Sequence, residues 1–417
     1  MRARLMTGRL YYGWAIVLTL SITQLTSWGV LYYGFGVIMP VMERELGWSR
    51  IVLTGGFSLA LLISGIAAVP VGHWLDRHGT RVLMTVGSIA ATLLLLAWSQ
   101  VTTILGFYLV WAGIGLAFAA VLYEPAFAAV ATWFQHGRGR ALAVLTFFGG
   151  LASLVFIPLT ERLITGFGWR TALIQLAVVV GVVTILPHAI VLRRRPADLG
   201  LQPDGVPHHS SAHGAPIDSS LTPAQAMRAA PFWWLAAAFS LTTLVMITLN
   251  VHLVVYLIEQ GYSSAFAASA AGLHGLMSVS GRLTLAPLGR RFTLTHLMIA
   301  LFLMQAIALL VLLVVPSQLG VFGYVVLFGL GSGASTPVRA ALVAEHYGTA
   351  AYGRINGALT MLGTWARVAA PVGAGALSVV IGYRSLLWGL AVAAALAAGC
   401  VWRAVPSHKA EAPTPAR

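Results

Sequence analysis

Glu124, Arg282, Arg339 and Arg367 stand inside runs of apolar residues long enough to cross a lipid bilayer as helices. A charge at the centre of such a helix costs roughly 2.5–3.5 kcal/mol, so it is retained where it meets a partner, a ligand or an aqueous path. An arginine fork can take a carboxylate through two parallel charge-assisted hydrogen bonds, and a lone buried glutamate can carry a proton. Of the 11 acidic residues, only Glu124 lies deep in an apolar run; it sits in Leu122-Tyr123-Glu124-Pro125-Ala126. Pro125 has no N–H to give, which frees a carbonyl one turn earlier and loosens the helix there. Glu124 and His252 could be written as an acid–base pair, but no nucleophile or metal-ligand set accompanies them. The chemistry indicated is anion binding with proton movement, and an enzyme is not expected.

Polar residues recur in these runs at helical spacing. His274, Ser278 and Arg282 share one stripe, Asn356, Thr360, Thr364 and Arg367 a second, and Gln24, Trp28 and Tyr32 a third. Stripes of this kind in apolar helices face a bundle interior or a water path; for any single member the other use is interhelical hydrogen bonding. Asn250 and His252 point about 200° apart on their helix, so at most one faces a cavity squarely. Glu124 lies roughly 30 Å of helical rise below the outer end of its run, and Arg282 lies at a similar depth in another run of the same direction. The two are expected to face each other across a central cavity. Arg339, beside Glu345, is expected nearer the cytoplasmic end, in a structural or gating role.

The elements that must hold these residues are apolar helices. The chain has 417 residues, of which 59% are hydrophobic and 9% charged; a soluble globule carries about 25% charged residues. Runs of spanning length fall near 12–39, 51–73, 82–99, 103–133, 140–160 and 170–192. They resume near 232–258, 266–288, 294–315, 319–344, 353–379 and 384–403. The reading is an all-α integral membrane protein of about twelve helices in two six-helix bundles, spanning 1–192 and 231–405. A linker rich in Pro, Gly, Ser and His (193–230) joins them, and a short tail (406–417) follows. The first run is too long for a cleavable signal peptide and lacks its cleavage site. Seventeen of the 25 basic residues fall on one side of this topology, five on the other and three within spans, which makes the first side, with both termini and the linker, cytoplasmic.

The formal net charge of +14 is dispersed among short loops rather than gathered in a patch, so the expected partner is the bilayer and not nucleic acid. Cys400 is the single cysteine, which excludes an intramolecular disulfide. His208, His209 and His213 have no carboxylate or thiolate at ligand spacing, and neither a metal nor a cofactor is expected. Thr222-Pro223 reads as a capped helix start.

The turn Gly72-His73-Trp74-Leu75-Asp76-Arg77-His78-Gly79-Thr80-Arg81 joins the second and third runs. Its pattern, G-x-x-x-D-R-x-G-x-R, resembles the signature loop between helices 2 and 3 of the major facilitator superfamily. A shift of 214 residues carries Gly72 onto Ala286, Ser64 onto Ser278, Gly139 onto Gly353 and Arg140 onto Arg354, as a duplicated six-helix half requires. The same shift sets Asp76 against Arg290 and Ala68 against Arg282, so the acidic turn belongs to one half alone. Asp76 is expected to meet the positive N-terminus of helix 11 near Gly353. With Arg77, Arg81, Arg140 and Arg354 it makes the expected gating set.

A narrower resemblance rests on Tyr12-Gly13-Trp14, Glu124-Pro125-Ala126, Trp133-Phe134, Arg138-Gly139-Arg140-Ala141-Leu142-Ala143 and Gly281-Arg282-Leu283. Together these are similar to the monocarboxylate porter branch, which includes the oxalate/formate exchangers, over about 10–405. The resemblance implies that Arg282 partners the substrate carboxylate. Many members have an aspartate where this chain has Ser278 and an asparagine where it has Glu124. The expected substrate contacts are Arg282, Tyr32, Trp28, Tyr123, Ser278, His252 and Arg367, with Glu124 as the proton-coupling group. The expected function is secondary transport of a small organic anion, a monocarboxylate, by alternating access with proton symport or anion exchange, in a bacterial inner membrane and as a monomer. The alternative is export of a hydrophobic compound by proton antiport, although the Gly-Pro pair common in helix 5 of such pumps is replaced here by Gly149-Gly150.

Overall fold

The computed structural model describes residues 11–205 and 222–404; the three linker histidines and the tail beyond Ala404 lie outside the described residues. The described chain is helical throughout, and its spans are α1 Tyr12–Leu46, α2 Arg50–His78, α3 Thr80–Ser99, α4 Ile104–Trp133, α5 138–167 and α6 169–191. After the linker come α7 Ala230–Glu259, α8 Ser264–Thr284, α9 Leu294–Val314, α10 Gln318–Tyr347, α11 352–381 and α12 383–403. A short helix, Pro223–Arg228, precedes α7; Thr222 and Gln225 form the capping box that opens it. The first span runs seven residues past its expected end, and its middle, Trp28–Tyr33, is a π-helical turn, a distortion often found at functional sites.

The duplication is visible in backbone detail. Gly47 and Gly261 both end the first helix of their half with positive φ, and Gly168 and Gly382 both reverse the chain between neighbouring helices at φ 76° and 77°. Ser49 and Ser263 cap α2 and α8, and Thr103 and Ser317 cap α4 and α10, each accepting a backbone N–H three residues on. All four pairs are 214 residues apart. The halves thus share their helix starts and turns as well as their apolar pattern.

Buried side chains divide into three clusters. One joins both halves at the end rich in arginines, where α1 begins and α12 ends, and includes Leu75, Phe134, Phe232, Leu342 and Ile355. The other two stay within one half each: Phe35, Trp98 and Trp111 anchor the first, and Leu253, Tyr324 and Phe328 the second. The halves therefore share a core at the arginine-rich end and keep separate cores at the other. Backbone contact tightens the shared end. A Cβ on Gly72 would collide with the Gly353 carbonyl, and one on Gly357 with the Ala68 carbonyl, so glycine lets α2 and α11 approach closely.

Candidate functional site

The site is organised by the break in α4. The helix splits at Leu122 (ψ −153°) into Ile104–Val121 and Tyr123–Trp133, because Pro125 leaves the Val121 carbonyl without its helical donor. Gln24 of α1 repairs the gap: its fully buried Nε2 donates to the carbonyls of Val121 (2.6 Å) and Leu122 (3.2 Å). Gln24 Oε1 accepts from Trp28 Nε1 at 3.1 Å, which fixes the indole. The new helix start places Glu124 in its first turn, where a carboxylate meets the positive end of the dipole.

Between the halves lies a cavity of about 280 Å³, walled by aromatic residues including Trp28, Phe118, Tyr123 and Phe239 and carrying three charged groups, Glu124, Arg339 and Arg367. Asn356 and Thr360 of the α11 stripe also line it, while Thr364 faces Gly65 of α2. Glu124 Oε1 accepts from Thr360 Oγ1 at 2.9 Å, and the same hydroxyl oxygen accepts from Arg339 Nη2 at 3.5 Å. The Arg339 guanidinium lies over the Phe239 ring, 4.6 Å from its centroid, and Arg367 acts electrostatically on it.

Arg282 is placed differently from the expectation. It is not among the residues lining the cavity; it crosses to the other half, where Nη1 donates to the Thr146 carbonyl of α5 at 2.6 Å. Gly150 leaves the room for it, and Gly149 the room for the Tyr123 hydroxyl. Arg282 still acts electrostatically on Tyr33 and Tyr123, the latter in the cavity wall. Its Nε is buried without a hydrogen-bond partner among the described residues. Glu124 therefore meets Arg339 through Thr360, not Arg282. Direction rather than depth explains the change: Arg282 lies 18 residues into α8, as Glu124 lies 20 into α4, but in the last turn of α8 it reaches to α5.

Other expected contacts are also off the cavity. The Ser278 backbone carbonyl lies against Gly333 of α10, and His274 meets Ser332 of α10 at 3.4 Å, so α8 packs on α10 at these two residues while Arg282 of the same stripe turns to α5. His252 Nδ1 lies 3.0 Å from the Tyr383 hydroxyl at the start of α12. Tyr32 packs edge-on to Trp28 and Phe57, behind the wall, with Arg367 acting on it.

At the arginine-rich end, Asp76 reaches across the halves. Its Oδ1 accepts from Gly353 N (2.8 Å), and Oδ2 accepts from Arg354 N (3.2 Å) and Arg354 Nε (2.8 Å). The aspartate side chain is only 6% exposed. Of the expected gating set, Asp76 and Arg354 thus bridge the halves; among the described residues Arg77, Arg81 and Arg140 do not. Arg77 is exposed, Arg81 donates to Ala189 of α6, and Arg140 lies over Trp14 of α1, both within the first half. Asp204 of the linker takes N–H donors from Gln135, His136 and Gly137 ahead of α5. Burial, and after it the Asp204 carboxylate, push the nearby Tyr11 phenol up to about 12.

The family model of the Major Facilitator Superfamily matches residues 17–371, and again 271–417. The chain belongs to that superfamily. It is 26% identical over 346 residues to monocarboxylate transporter 13 of Bos taurus, covering 81% of this chain and 76% of the relative. The fucose:proton symporter FucP of E. coli, solved as a single-site variant, superposes with a TM-score of 0.72 at 13% identity over 95% of this chain and 100% of that one. A bacterial homologue of the iron transporter ferroportin, solved outward-facing with soaked iron, gives a TM-score of 0.73 at 15% identity, again over 95% and 100%. At these identities the structures establish the fold alone, and the family match makes the chain a multi-pass membrane transporter. In this superfamily member the cation joined to Glu124 in the cavity is Arg339, where Arg282 was expected. Two signals pointed to it. It lies 21 residues into α10, as Glu124 lies 20 into α4, and the 214-residue shift carries Glu124 to Val338, the position before it.

Proposed function

We propose that this transporter carries a small organic anion, a monocarboxylate, by alternating access, as a monomer whose arginine-rich end faces the cytoplasm of a bacterial inner membrane. The observation that carries the reading is the charge of the central cavity: two arginines, Arg339 and Arg367, against one glutamate, in a space walled by aromatic rings. Cations held in a membrane interior invite an anionic ligand. Arg282 adds a third cation behind the Tyr123 wall. The cavity, about 280 Å³, is below the roughly 300–1,000 Å³ usual for drug-sized ligands, which favours a small anion over export of a bulky hydrophobic compound. The relative named as a monocarboxylate transporter points the same way. Asp76 holds the cytoplasmic side shut until the site is filled, and Glu124 is the group available to carry a coupled proton.

The test is uptake into proteoliposomes across a panel of acetate, lactate, pyruvate and oxalate, with and without an imposed pH gradient. Saturable uptake of a carboxylate is the expected result. Transport of none of them, with proton-driven export of a hydrophobic dye, would replace the reading with the efflux alternative.

A further inference from the structure

We propose that Glu124, Thr360 and Arg339 form a clamp between the two halves, and that a carboxylate entering the cavity replaces Glu124 as the partner of Arg339. This rests on the reading of the cavity as an anion site. Glu124 belongs to α4 in the first half, whereas Arg339 and Thr360 belong to α10 and α11 in the second. The Thr360 hydroxyl donates its one proton to Glu124 Oε1 and accepts from Arg339 Nη2, so a single side chain joins the cation, the anion and both bundles. All three residues line the same space, and the Arg339 donor reaches the hydroxyl only at 3.5 Å. A hydrogen bond that long is weak, and an entering carboxylate offers the guanidinium two short charge-assisted ones instead.

The charges around the pair decide where a proton goes. Glu124 acts electrostatically on Arg339 of α10 and on Tyr352 at the start of α11, and Arg138 on α5 also acts on Tyr352. Arg367 of α11 faces Arg339, and Tyr123 precedes Glu124 in the chain. Arg339 is thus the cation that compensates Glu124 through Thr360. When the substrate takes Arg339, two carboxylates compete for one guanidinium, and protonation of Glu124 relieves the conflict. One anion and one proton enter together, no net charge is added to the cavity, and the link between the halves is released. Thr360 is a positioning residue in this scheme, and Arg339 touches the substrate.

The experiment has one arm that needs no substrate. Leu75 packs on Gly353 where α2 meets α11, and it is 7% exposed, so a cysteine there reports separation of the halves. In a Leu75→Cys, Cys400→Ser background, Glu124→Gln and Thr360→Val should each speed maleimide labelling at least fivefold, and the two combined should match either alone within twofold. Labelling unchanged by both variants, or effects that multiply, overturns the clamp. The second arm uses lactate as the probe. Glu124→Gln should keep lactate counterflow and lose accumulation driven by a pH gradient. Arg339→Gln in the Glu124→Gln background, which removes both charges and so leaves neither buried alone, should bind lactate at least tenfold more weakly than Glu124→Gln itself. Equal affinity would remove Arg339 from the site. A parent protein that binds none of acetate, lactate, pyruvate and oxalate, with the labelling arm as expected, withdraws the anion reading and leaves the clamp.

Discussion

Asp76→Asn is the sharpest perturbation of the closed end. The carboxylate accepts three hydrogen bonds from the first residues of α11, two from backbone N–H groups and one from Arg354. Asparagine keeps one acceptor oxygen and turns an amide N–H₂ toward donors. Hydrogen bonds to a charged group contribute about 1.5–3 kcal/mol each, and a partly buried charge at a helix end adds up to about 2 kcal/mol. Because asparagine keeps part of this set and water fills some of the rest, the net loss is about 2–4 kcal/mol. At 1.4 kcal/mol per decade that is on the order of 30- to 1,000-fold in the closed-to-open ratio. The reporter is again Leu75→Cys with Cys400→Ser, labelled with a membrane-impermeant maleimide from the arginine-rich side. If labelling requires separation of α2 from α11, its rate scales with the open population and rises by that factor. Asp76→Glu, which retains the charge on a longer arm, should fall between parent and Asp76→Asn. A rate for Asp76→Asn within threefold of the parent refutes the reasoning, because the interface would then be held by packing alone.

Two further outcomes test other parts of the site. Arg282→Lys removes the fork that holds the Thr146 carbonyl and leaves Nε free; lysine cannot reproduce a bidentate contact, so carboxylate uptake should fall at least tenfold with thermal stability in detergent little changed, and parental uptake would take Arg282 out of the substrate path. Gln24→Leu strips the donor from two carbonyls freed by the α4 break; leaving buried carbonyls unpaired costs about 1–3 kcal/mol, read as a lowered detergent melting temperature, and an unchanged one would mean the break is held by other contacts.

The fold was legible because its signals are long and repeated. A membrane span needs about 20 apolar residues, and a 214-residue repeat is registered by several residue pairs at once. Asp76 meeting α11 at Gly353 followed from the acidic turn and the positive helix end. The loosening of α4 one turn before Pro125 followed from proline's missing donor, and the break falls at Leu122. Direction was harder than depth. Arg282 lies 18 residues into α8, close to the 20 of Glu124 in α4 and the 21 of Arg339 in α10. Rise along a helix does not say which neighbour a side chain reaches, and Arg282 crosses to α5 while Arg339 takes the central position. Stripe direction failed for a related reason. A polar stripe specifies an interior face but not which neighbour lies there, and for His274 and Ser278 it was α10. Nor could the sequence show that Thr360 would stand between two charges from different helices, since that contact spans 236 residues.

The two halves use the same helix start for different ends. In the second half, α11 begins under an aspartate that comes from the first half, so the N–H groups of Gly353 and Arg354 have that partner only while the halves touch. The equivalent turn of the second half carries Arg290, a cation, which a helix N-terminus disfavours. The segment leading into α5 is served instead by Asp204, which the linker brings back to its own half. Separating the bundles therefore breaks the Asp76 contacts and leaves those of Asp204 whole. The duplicated fold is symmetric in its turns and caps, but the acidic contact that must break for the arginine-rich end to open is carried by one copy only. With Arg282 crossing from α8 to α5, the charged residues of the closure divide by half: the acid, Asp76, comes from the first and the bases, Arg354 and Arg282, from the second.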